Sequence, residues 1–214
     1  MKVGTDRANA KGATRRDLIV GVAGGMMLAS GSSPGMAMTP APPFSSVDQL
    51  LAIEAIKYRK ARYAYCVDHK DWDGFAANFT EDASWDIRGA MDARNPVTGQ
   101  WTAVSEFSED FLRSTMANAA DWPVIGRKNI AATSKRIAGP TSTSAHKLFT
   151  PMIDILSDTD ARAIWPFEDE SYKDSSRPMK YANGVGYYHE TYAKVGKVWL
   201  IKSTTVKRSL LIVR

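Results

Sequence analysis

The hydrophobic pattern that follows residue 46 has the period of an α-helix. Its apolar positions recur at steps of three, seven and four residues: Ile53, Ile56, Tyr63 and Val67. The other side of the same stretch is charged: Glu54, Lys57, Arg59 and Arg62. This pattern is typical of an amphipathic helix that packs on a core. A second, shorter helix is predicted by three aromatic positions at i, i+3 and i+7: Trp72, Phe75 and Phe79.

From Ala83 the pattern changes to a period of two, because Ala83, Trp85 and Ile87 are apolar and the residues between them are not. A period of two indicates a β-strand with one buried face. The stretch 88–139 is less regular, and only 104–116 within it has the apolar spacing of a helix. We therefore expect a first strand followed by an insertion that contains one helix.

The C-terminal part of the chain is predicted to be strands. Strand-like segments bounded by turn or loop residues occur at 147–156, 161–167, 184–194 and 198–213. A polar loop is expected at 168–184, and a short turn at 195–197 is typical of a β-hairpin with long arms. The apolar positions of this hairpin must line one of its faces, so Trp199, Ile201 and Tyr188 are expected to be at least partly buried. The chain shows no internal repeat and no alternation of strands with helices. The predicted fold class is therefore α+β with a mostly antiparallel sheet.

The first 37 residues have the layout of an export signal. Arg15 and Arg16 come before an apolar, glycine-rich run of about 13 residues, and Gly35 and Ala37 are the small residues that a signal peptidase requires. The paired arginines resemble the twin-arginine export signal of bacteria. A transmembrane anchor is the alternative, but the run is shorter than the roughly 20 residues that span a bilayer. We expect export to the periplasm by the twin-arginine route.

Removal of this signal changes the charge of the chain. The signal carries five basic and two acidic residues, a net charge of +3, so only +2 of the total +5 belongs to the remainder. So small a charge gives no reason to expect nucleic acid or an anionic membrane as a partner. The single cysteine, Cys66, cannot form an internal disulfide. The expected organisation is a signal peptide (1–37), a proline-rich tether (38–47) and one domain (48–213) with an insertion at about 88–139.

Three separated segments resemble the SnoaL-like, nuclear-transport-factor-2-like family. The first is YAYCVDHKDWDGFAANFTEDASWD, with a Tyr-Ala, an Asp before Lys-Asp-Trp-Asp, and Phe-Thr-Glu-Asp-Ala at the entry to the first strand. The second, SAHKLFTPMIDI, resembles the family's histidine-bearing strand. The third, GVGYYHETYAKVGKVWLIKSTTVKR, resembles its closing hairpin. The resemblance covers roughly residues 48–213 and departs from the family pattern in the insertion at 88–139.

The resemblance implies a cone, in which a curved sheet wraps around the N-terminal helices and leaves an apolar pocket at its open end. Catalytic members of the family, among them scytalone dehydratase, hexachlorocyclohexane dehydrochlorinase and bile-acid 7α-dehydratase, work without cofactors. By the same resemblance, Asp68 matches the family's catalytic aspartate and His146 its catalytic histidine. A carboxylate fixes the tautomer of a histidine, so the free ring nitrogen can remove a proton from a substrate carbon. The alternatives are a helix-capping aspartate and a polar residue at the start of a strand.

Further pocket residues are expected around this pair. Tyr63 is a candidate catalytic donor to a leaving group, and Trp85 matches a pocket tryptophan of the dehydrochlorinase by its spacing of 17 residues from Asp68. The alternative for both is a place in the core, the commoner position for aromatic residues. Three residues of the closing hairpin are candidates for substrate binding: Tyr188, His189 and Arg208. His189 faces either the pocket or the outside, and a solvated edge is the alternative for Arg208.

Metal-dependent and nucleotide-dependent chemistry have little support in the sequence. His146, His189 and Asp68 would supply two histidines and a carboxylate, but no ligand spacing supports such a site, and no metal is expected. The chain has no phosphate-binding loop, no Gly-x-Ser-x-Gly and no dinucleotide fingerprint. No cofactor is therefore expected.

The first functional hypothesis is a cofactor-independent lyase. It would abstract a proton and expel water or another small leaving group from an apolar aromatic or polycyclic substrate, as a dehydratase or a deformylating lyase does. The alternatives are a non-catalytic ligand-binding or assembly module of the same fold, and a ketosteroid-type isomerase, which would need a second acid near a tyrosine. The expected partner is a small apolar substrate rather than nucleic acid or, after cleavage of the signal, a membrane. A homodimer or homotrimer is expected, since members of this fold associate through the outer face of the sheet.

Overall fold

The computed structural model describes residues 46–94, 101–103, 122–173 and 180–213. The predicted export signal, all but the last two residues of the tether, and the predicted helix at 104–116 lie outside these residues. In the part of the chain that the model describes, no helix is both long enough and apolar enough to cross a membrane.

Helix α1 spans Val47–Asp68 and carries the predicted apolar stripe on its buried side. It begins after Ser46, whose side chain accepts a hydrogen bond of 3.3 Å from the backbone nitrogen of Gln49. A serine at this place satisfies one of the free N–H groups of the first helical turn. The prediction of this helix is confirmed.

Helix α2, Trp72–Ala76, is shorter than the aromatic spacing predicts. Phe79, which was expected on the same helix, is the first residue of a strand. The helix ends because the side-chain amide of Asn78 donates to the carbonyl oxygens of Gly74 (2.8 Å) and Phe75 (3.3 Å). The carbonyl of Phe75 also accepts a hydrogen bond of 3.1 Å from the backbone nitrogen of Asn78, so Asn78 satisfies carbonyl groups at the end of the helix.

Two further helices and nine strands are formed by the described residues. The helices are a 3₁₀-helix at Arg88–Met91 and α3 at Arg127–Ala138. The strands are β1 Phe79–Asp86, β2 Asp92–Arg94, β3 Trp101–Ala103, β4 Val124–Ile125, β5 Ser142–Leu148, β6 Met152–Ile155, β7 Asp160–Lys173, β8 Tyr181–Val195 and β9 Val198–Val213.

Seven of these described strands form one curved sheet in the order β4-β1-β9-β8-β7-β5, with β6 paired to β7. Strand β1 runs parallel to β9, and all other pairs are antiparallel. Strands β2 and β3 form a separate pair. The predicted class, α+β with a mostly antiparallel sheet, is confirmed.

The boundaries of three predicted segments are wrong. The single strand expected at 147–156 is two strands, β5 and β6, separated at Pro151, which has no N–H for the ladder. Most of the polar loop expected at 168–184 is sheet, since β7 continues to Lys173 and β8 begins at Tyr181. The insertion contains α3, which has only Ile130, Ala131 and Ser134 on its buried face and so lacks a strong apolar signal.

The core lies between α1 and the concave face of the sheet. Trp199, Ile201 and Tyr188, which the hairpin pattern predicted to be buried, are 4%, 0% and 4% exposed. Burial of one such side chain contributes roughly 1.5–3 kcal/mol. Along β7 the inward positions follow the period of two, from Ala161 to Phe167. Beyond Phe167 the same face carries Asp169, which lies next to His146 of β5.

Candidate active site

Asp68 is the last residue of α1, and its carboxylate reaches across to strand β5. Asp68 Oδ1 lies 2.7 Å from His146 Nδ1 and accepts a hydrogen bond of 2.8 Å from Ser144 Oγ. Asp68 Oδ2 accepts a hydrogen bond of 2.9 Å from the backbone nitrogen of His146. The structure thus brings together the two residues that the sequence analysis paired, 78 positions apart in the chain.

Asp68 is at the C-terminus of α1, as its alternative role as a helix-end aspartate requires, but its hydrogen bonds go to β5 and it does not cap the next helix. Asp71 takes that role instead, since its side chain accepts from the backbone nitrogen of Gly74, 2.9 Å away, at the start of α2. A carboxylate at the C-terminus of a helix faces the negative end of the helix dipole. The three hydrogen bonds from β5 offset this unfavourable position.

These hydrogen bonds also control the ionisation of Asp68. Partial burial alone would raise the pKa of Asp68, but the hydrogen bonds from His146 and Ser144 and the charge of the imidazolium outweigh it, so the pKa lies below the ordinary value. The carboxylate is therefore ionised at neutral pH. In the neutral form of His146, an ionised Asp68 holds the single ring proton on Nδ1, so Nε2 has a lone pair.

The imidazole of His146 borders a mainly apolar cavity of about 170 Å³. A cavity of about 150 Å³ has room for one benzene ring. Its apolar lining comes from α1, β1, β7, β8 and β9: Tyr63, Val67, Trp85, Phe167, Tyr188 and Val206. Its polar lining includes Ser144, His146, Asp169 and Arg208. The cavity therefore combines an apolar wall with a small polar group on one side.

Asp169 is a second carboxylate at this site, and the sequence analysis did not select it. Its Oδ2 lies 3.9 Å from His146 Nε2, and residues 146 and 169 are directly paired between β5 and β7. Asp169 falls in the segment that was expected to be a polar loop. The available signal was the period of two, because Asp169 continues the inward face of Trp165 and Phe167.

Arg208 holds Asp169 by two hydrogen bonds, from Nη1 to Oδ1 (2.9 Å) and from Nη2 to Oδ2 (2.8 Å). Its Nε donates to the carbonyl oxygen of Ala90 at 2.6 Å. The absence of a side chain at Gly184 makes this pair possible, because a Cβ there would lie 2.2 Å from Arg208 Nη1. Arg208 is only 8% exposed, so the alternative of a solvated edge is wrong.

Tyr63, Trp85 and Tyr188 meet on the apolar wall. Trp85 Nε1 donates to the hydroxyl of Tyr63 at 3.4 Å, and the rings of Tyr63 and Tyr188 are 5.8 Å apart. Burial raises the pKa of both tyrosines. Both phenols therefore stay neutral, and each keeps a proton that a hydrogen bond can use. Tyr63 and Trp85 therefore belong both to the hydrophobic core and to the wall of the pocket, the two positions that were expected as alternatives.

A buried ion pair lies directly behind this wall. Lys60 Nζ is 2.6 Å from Glu190 Oε1, and both side chains are 0% exposed. The Lys60 ammonium lies 3.4 Å from the ring centroid of Tyr188 and 3.9 Å from that of Tyr63. This pair was not predicted from the sequence. The available signal was the position of Lys60, which lies on the apolar stripe in the seven-residue interval between Ile56 and Tyr63.

His189 does not reach the cavity. It follows the inward residue Tyr188 on β8 and is exposed on the outer face of the sheet. The prediction that His189 lines the pocket places it on the wrong face, because neighbouring residues of a strand point in opposite directions. The metal set His146, His189 and Asp68 is not assembled for the same reason, and no cluster of three metal-binding side chains occurs among the described residues. His69, the third histidine of the chain, is exposed.

The chain is similar to known proteins in its sequence family and in its fold. The family model of the SnoaL-like domain matches residues 48–205. A candidate scytalone dehydratase from Novosphingobium aromaticivorans shares 19% identity, with a TM-score of 0.55 over 77% of this chain and 89% of that chain. Hexachlorocyclohexane dehydrochlorinase LinA-type3 from Novosphingobium barchaimii shares 12% identity, with a TM-score of 0.56 over 78% and 92%.

A protein of unknown function from Mycobacterium tuberculosis is also similar, at 17% identity and a TM-score of 0.52 over 76% of this chain and 74% of that chain. No curated protein matches the chain. The TM-scores of 0.52–0.56 show a common fold, whereas identities of 12–19% are too low to transfer the chemistry of one site to another.

Proposed function

Because the chain belongs to the SnoaL-like domain family, we propose that it is a cofactor-independent lyase in which Asp68 and His146 form a catalytic dyad. The substrate is a small cyclic, mainly apolar molecule that carries a hydroxyl or a comparable leaving group. The single observation that carries this proposal is the 2.7 Å contact between His146 Nδ1 and Asp68 Oδ1 at the wall of an apolar cavity.

The first step of the proposed reaction is the removal of a proton. Nε2 of His146 takes the proton from a substrate carbon, and the electrons of the broken C–H bond stay on that carbon as a carbanion. They form the new double bond when the leaving group departs in the second step. The imidazole becomes an imidazolium, whose charge the ionised Asp68 stabilises. The side chains of His146 and Asp68 are only 14% and 19% exposed, so the attraction between these two charges is stronger than it is in bulk solvent.

The second step is the departure of the leaving group with its bonding electrons. A hydroxyl leaves as water if it receives a proton, and the imidazolium of His146 holds the proton that it has just taken. The 3.9 Å gap between His146 Nε2 and Asp169 Oδ2 supports a hydroxyl here, because one oxygen about 2.8 Å from both atoms fits between them. The neutral hydroxyl of Tyr63 is a further donor for a leaving group.

The names of two similar structures support an elimination. One is described as a candidate scytalone dehydratase and the other as a hexachlorocyclohexane dehydrochlorinase, and each name denotes the loss of a small molecule from a cyclic substrate. The cavity of about 170 Å³ favours a substrate with one ring inside the part of the pocket that the described residues line. We therefore favour a single-ring or linked-ring alcohol over a fused polycycle that has to enter as a whole.

The test is a turnover screen with cyclic and aromatic alcohols, read by mass spectrometry as loss of water or of another small fragment. Wild type should convert at least one compound class, His146→Ala should not, and His189→Ala should retain activity. His189→Ala is a matched control, because it removes the same side chain from the outer face of the same sheet. Tight binding without turnover by wild type would support the non-catalytic binding module instead.

We also propose that the protein is exported and that it associates with itself. The paired Arg15 and Arg16 support twin-arginine export, and retention of the precursor in the cytoplasm by Arg15→Lys with Arg16→Lys is the expected result. Large apolar side chains on β8 and β9 support association, since Tyr187, Leu210 and Ile212 are 40%, 50% and 41% exposed. Light scattering should give the mass of a dimer or trimer, and the mass of one chain at micromolar concentration would contradict it.

A further inference from the structure

Lys70 has a backbone conformation that its residue type does not favour. It follows α1 in the turn to α2 and has a φ of 60°. The backbone nitrogen of Lys70 donates to the carbonyl of Val67 (3.2 Å), and that of Asp71 donates to the carbonyl of Cys66 (2.9 Å). These two bonds define a Schellman motif with Lys70 at the left-handed position, where glycine is the usual residue because it has no Cβ.

The side chain of Lys70 gives a reason for this choice. Its Nζ lies 3.4 Å from Ser144 Oγ, and Ser144 Oγ lies 2.8 Å from Asp68 Oδ1. An ammonium only donates hydrogen bonds and an ionised carboxylate only accepts them. Ser144 must therefore accept from Lys70 and give its single proton to Asp68, so the direction of the whole chain of hydrogen bonds is fixed.

Lys70 is also a positive charge close to the dyad. Partial burial lowers the pKa of Lys70, and the nearby Asp68 opposes this effect. The other titratable or charged groups on the elements around His146 are Tyr63, Asp68, Lys147, Glu168, Asp169, Glu170, Lys173, Tyr188 and Arg208. Arg208 is paired with Asp169 by two hydrogen bonds, and Lys147 is paired with Glu168 and Glu170. The hydrogen bond of Lys70 leads through Ser144 to Asp68.

We propose that Lys70 is a positioning residue of the dyad, which acts through Ser144 to hold the Asp68 carboxylate against His146 and whose charge disfavours the protonated imidazole. A glycine at position 70 would relieve the strain of the turn, but it would have no ammonium group to donate to Ser144. This proposal rests on the function proposed above for Asp68 and His146. It places a residue outside the cavity in control of the base inside it.

Three variants separate the charge of Lys70 from its backbone strain. Lys70→Gly removes both, Lys70→Met removes the charge and keeps a Cβ at the left-handed position, and Lys70→Arg keeps both. The readouts are thermal unfolding and the NMR titration of the His146 ring, with the His146 signal assigned by its loss in His146→Ala. Neither readout needs a substrate, so a failure of the lyase proposal and a failure of this proposal remain distinguishable.

Lys70→Gly should raise Tm by about 2–4 °C, because glycine adopts this φ without strain. The midpoint of the His146 titration should rise by on the order of half a pH unit in both Lys70→Gly and Lys70→Met, since removal of a cation favours the imidazolium. Lys70→Arg should stay near wild type in both readouts. With an active substrate in hand, the acid limb of the pH dependence of kcat/KM should move to higher pH in the same two variants.

An unchanged His146 midpoint in Lys70→Gly and Lys70→Met would overturn the proposal, and so would a shift in only one of them. A higher Tm in Lys70→Gly together with full activity and an unchanged midpoint would show that Lys70 is only a strained surface residue. Should Lys70→Met fail to fold, Lys70→Gly alone decides, because its turn conformation is the one that glycine prefers.

Discussion

Two polar clusters lie on the same concave face of the sheet, and they differ in what they leave open. In the first, Lys60 and Glu190 are 0% exposed, and Glu190 also accepts hydrogen bonds from Tyr192 and from Thr204 (3.0 Å). Every partner in this cluster is a protein group. In the second, Asp68 satisfies one nitrogen of His146, while the other nitrogen borders the cavity.

The difference indicates two roles. A buried ion pair whose partners are all internal fixes the packing of α1 on the sheet and offers nothing to a ligand. A histidine with one nitrogen held and one open has the arrangement of a base. The same tyrosines separate the two clusters, because Lys60 lies behind the rings of Tyr63 and Tyr188, which line the cavity together with His146. The deep cluster should therefore control stability, and the open one should control activity.

The largest effect on stability is expected from Lys60→Met. It leaves Glu190 buried without its cation, and loss of one partner of a buried pair costs about 3–5 kcal/mol in the free energy of unfolding. Lys57→Met is the matched control, because Lys57 makes an ion pair with Glu54 at the same distance of 2.6 Å on the exposed side of α1. Denaturant unfolding should show a change of no more than about 0.5 kcal/mol there. Equal losses in the two variants would remove the distinction between the deep cluster and the surface.

A smaller effect is expected at the edge of the open cluster. Gly184→Ala places a Cβ where the Arg208 guanidinium lies, so the two hydrogen bonds to Asp169 should be lost. The free energy of unfolding should fall by about 1.5–3 kcal/mol, the contribution of a hydrogen bond between charged groups. Arg208→Lys should change stability and kcat/KM in the same direction, since lysine cannot make the paired hydrogen bonds. Arg162→Lys is the control, because Arg162 binds Asp154 on the other face of β7. Full activity in Gly184→Ala would separate Asp169 and Arg208 from the site.

The sequence predicts the parts of this comparison that have a long regular pattern. Helix α1 and the hairpin of β8 and β9 were recognised because their apolar periods persist over several turns or strand repeats. The Asp68 and His146 pair was recognised through the family resemblance, since the two residues are far apart in the chain. The face of His189 was left open, although the burial expected for Tyr188 already implied that His189 points outward.

The polar residues of the core are where the prediction failed. Asp169, Lys60 and Glu190 are typical of solvated positions in sequence, and each is buried or half-buried only because its partner comes from another element. No local pattern predicts that partner. The same cause explains the misplaced loop at 168–184, whose acidic residues are strand residues paired with cations on β5 and β9 and with an amide on β8.

The smallest effect is expected in the acid stability of the fold. The pKa of Asp68 is lower in the folded chain than its ordinary value, so the stabilisation is present above the unfolded pKa of about 3.9 and is lost as the pH falls through the folded one. Asp68→Asn should therefore reduce the dependence of Tm on pH below about pH 4. Scans of wild type and Asp68→Asn with the same slope in this range would contradict an ionised carboxylate held by His146 and Ser144.

The double-mutant cycle of Asp68→Asn and His146→Ala tests the dyad most directly. Each single variant should lower kcat/KM by on the order of 10²-fold or more while the far-ultraviolet dichroism spectrum stays unchanged. The double variant should be little worse than the poorer single variant, because loss of either residue already disables the pair. Losses that multiply in the double variant would show that the two residues act independently, and full activity in His146→Ala would contradict the account.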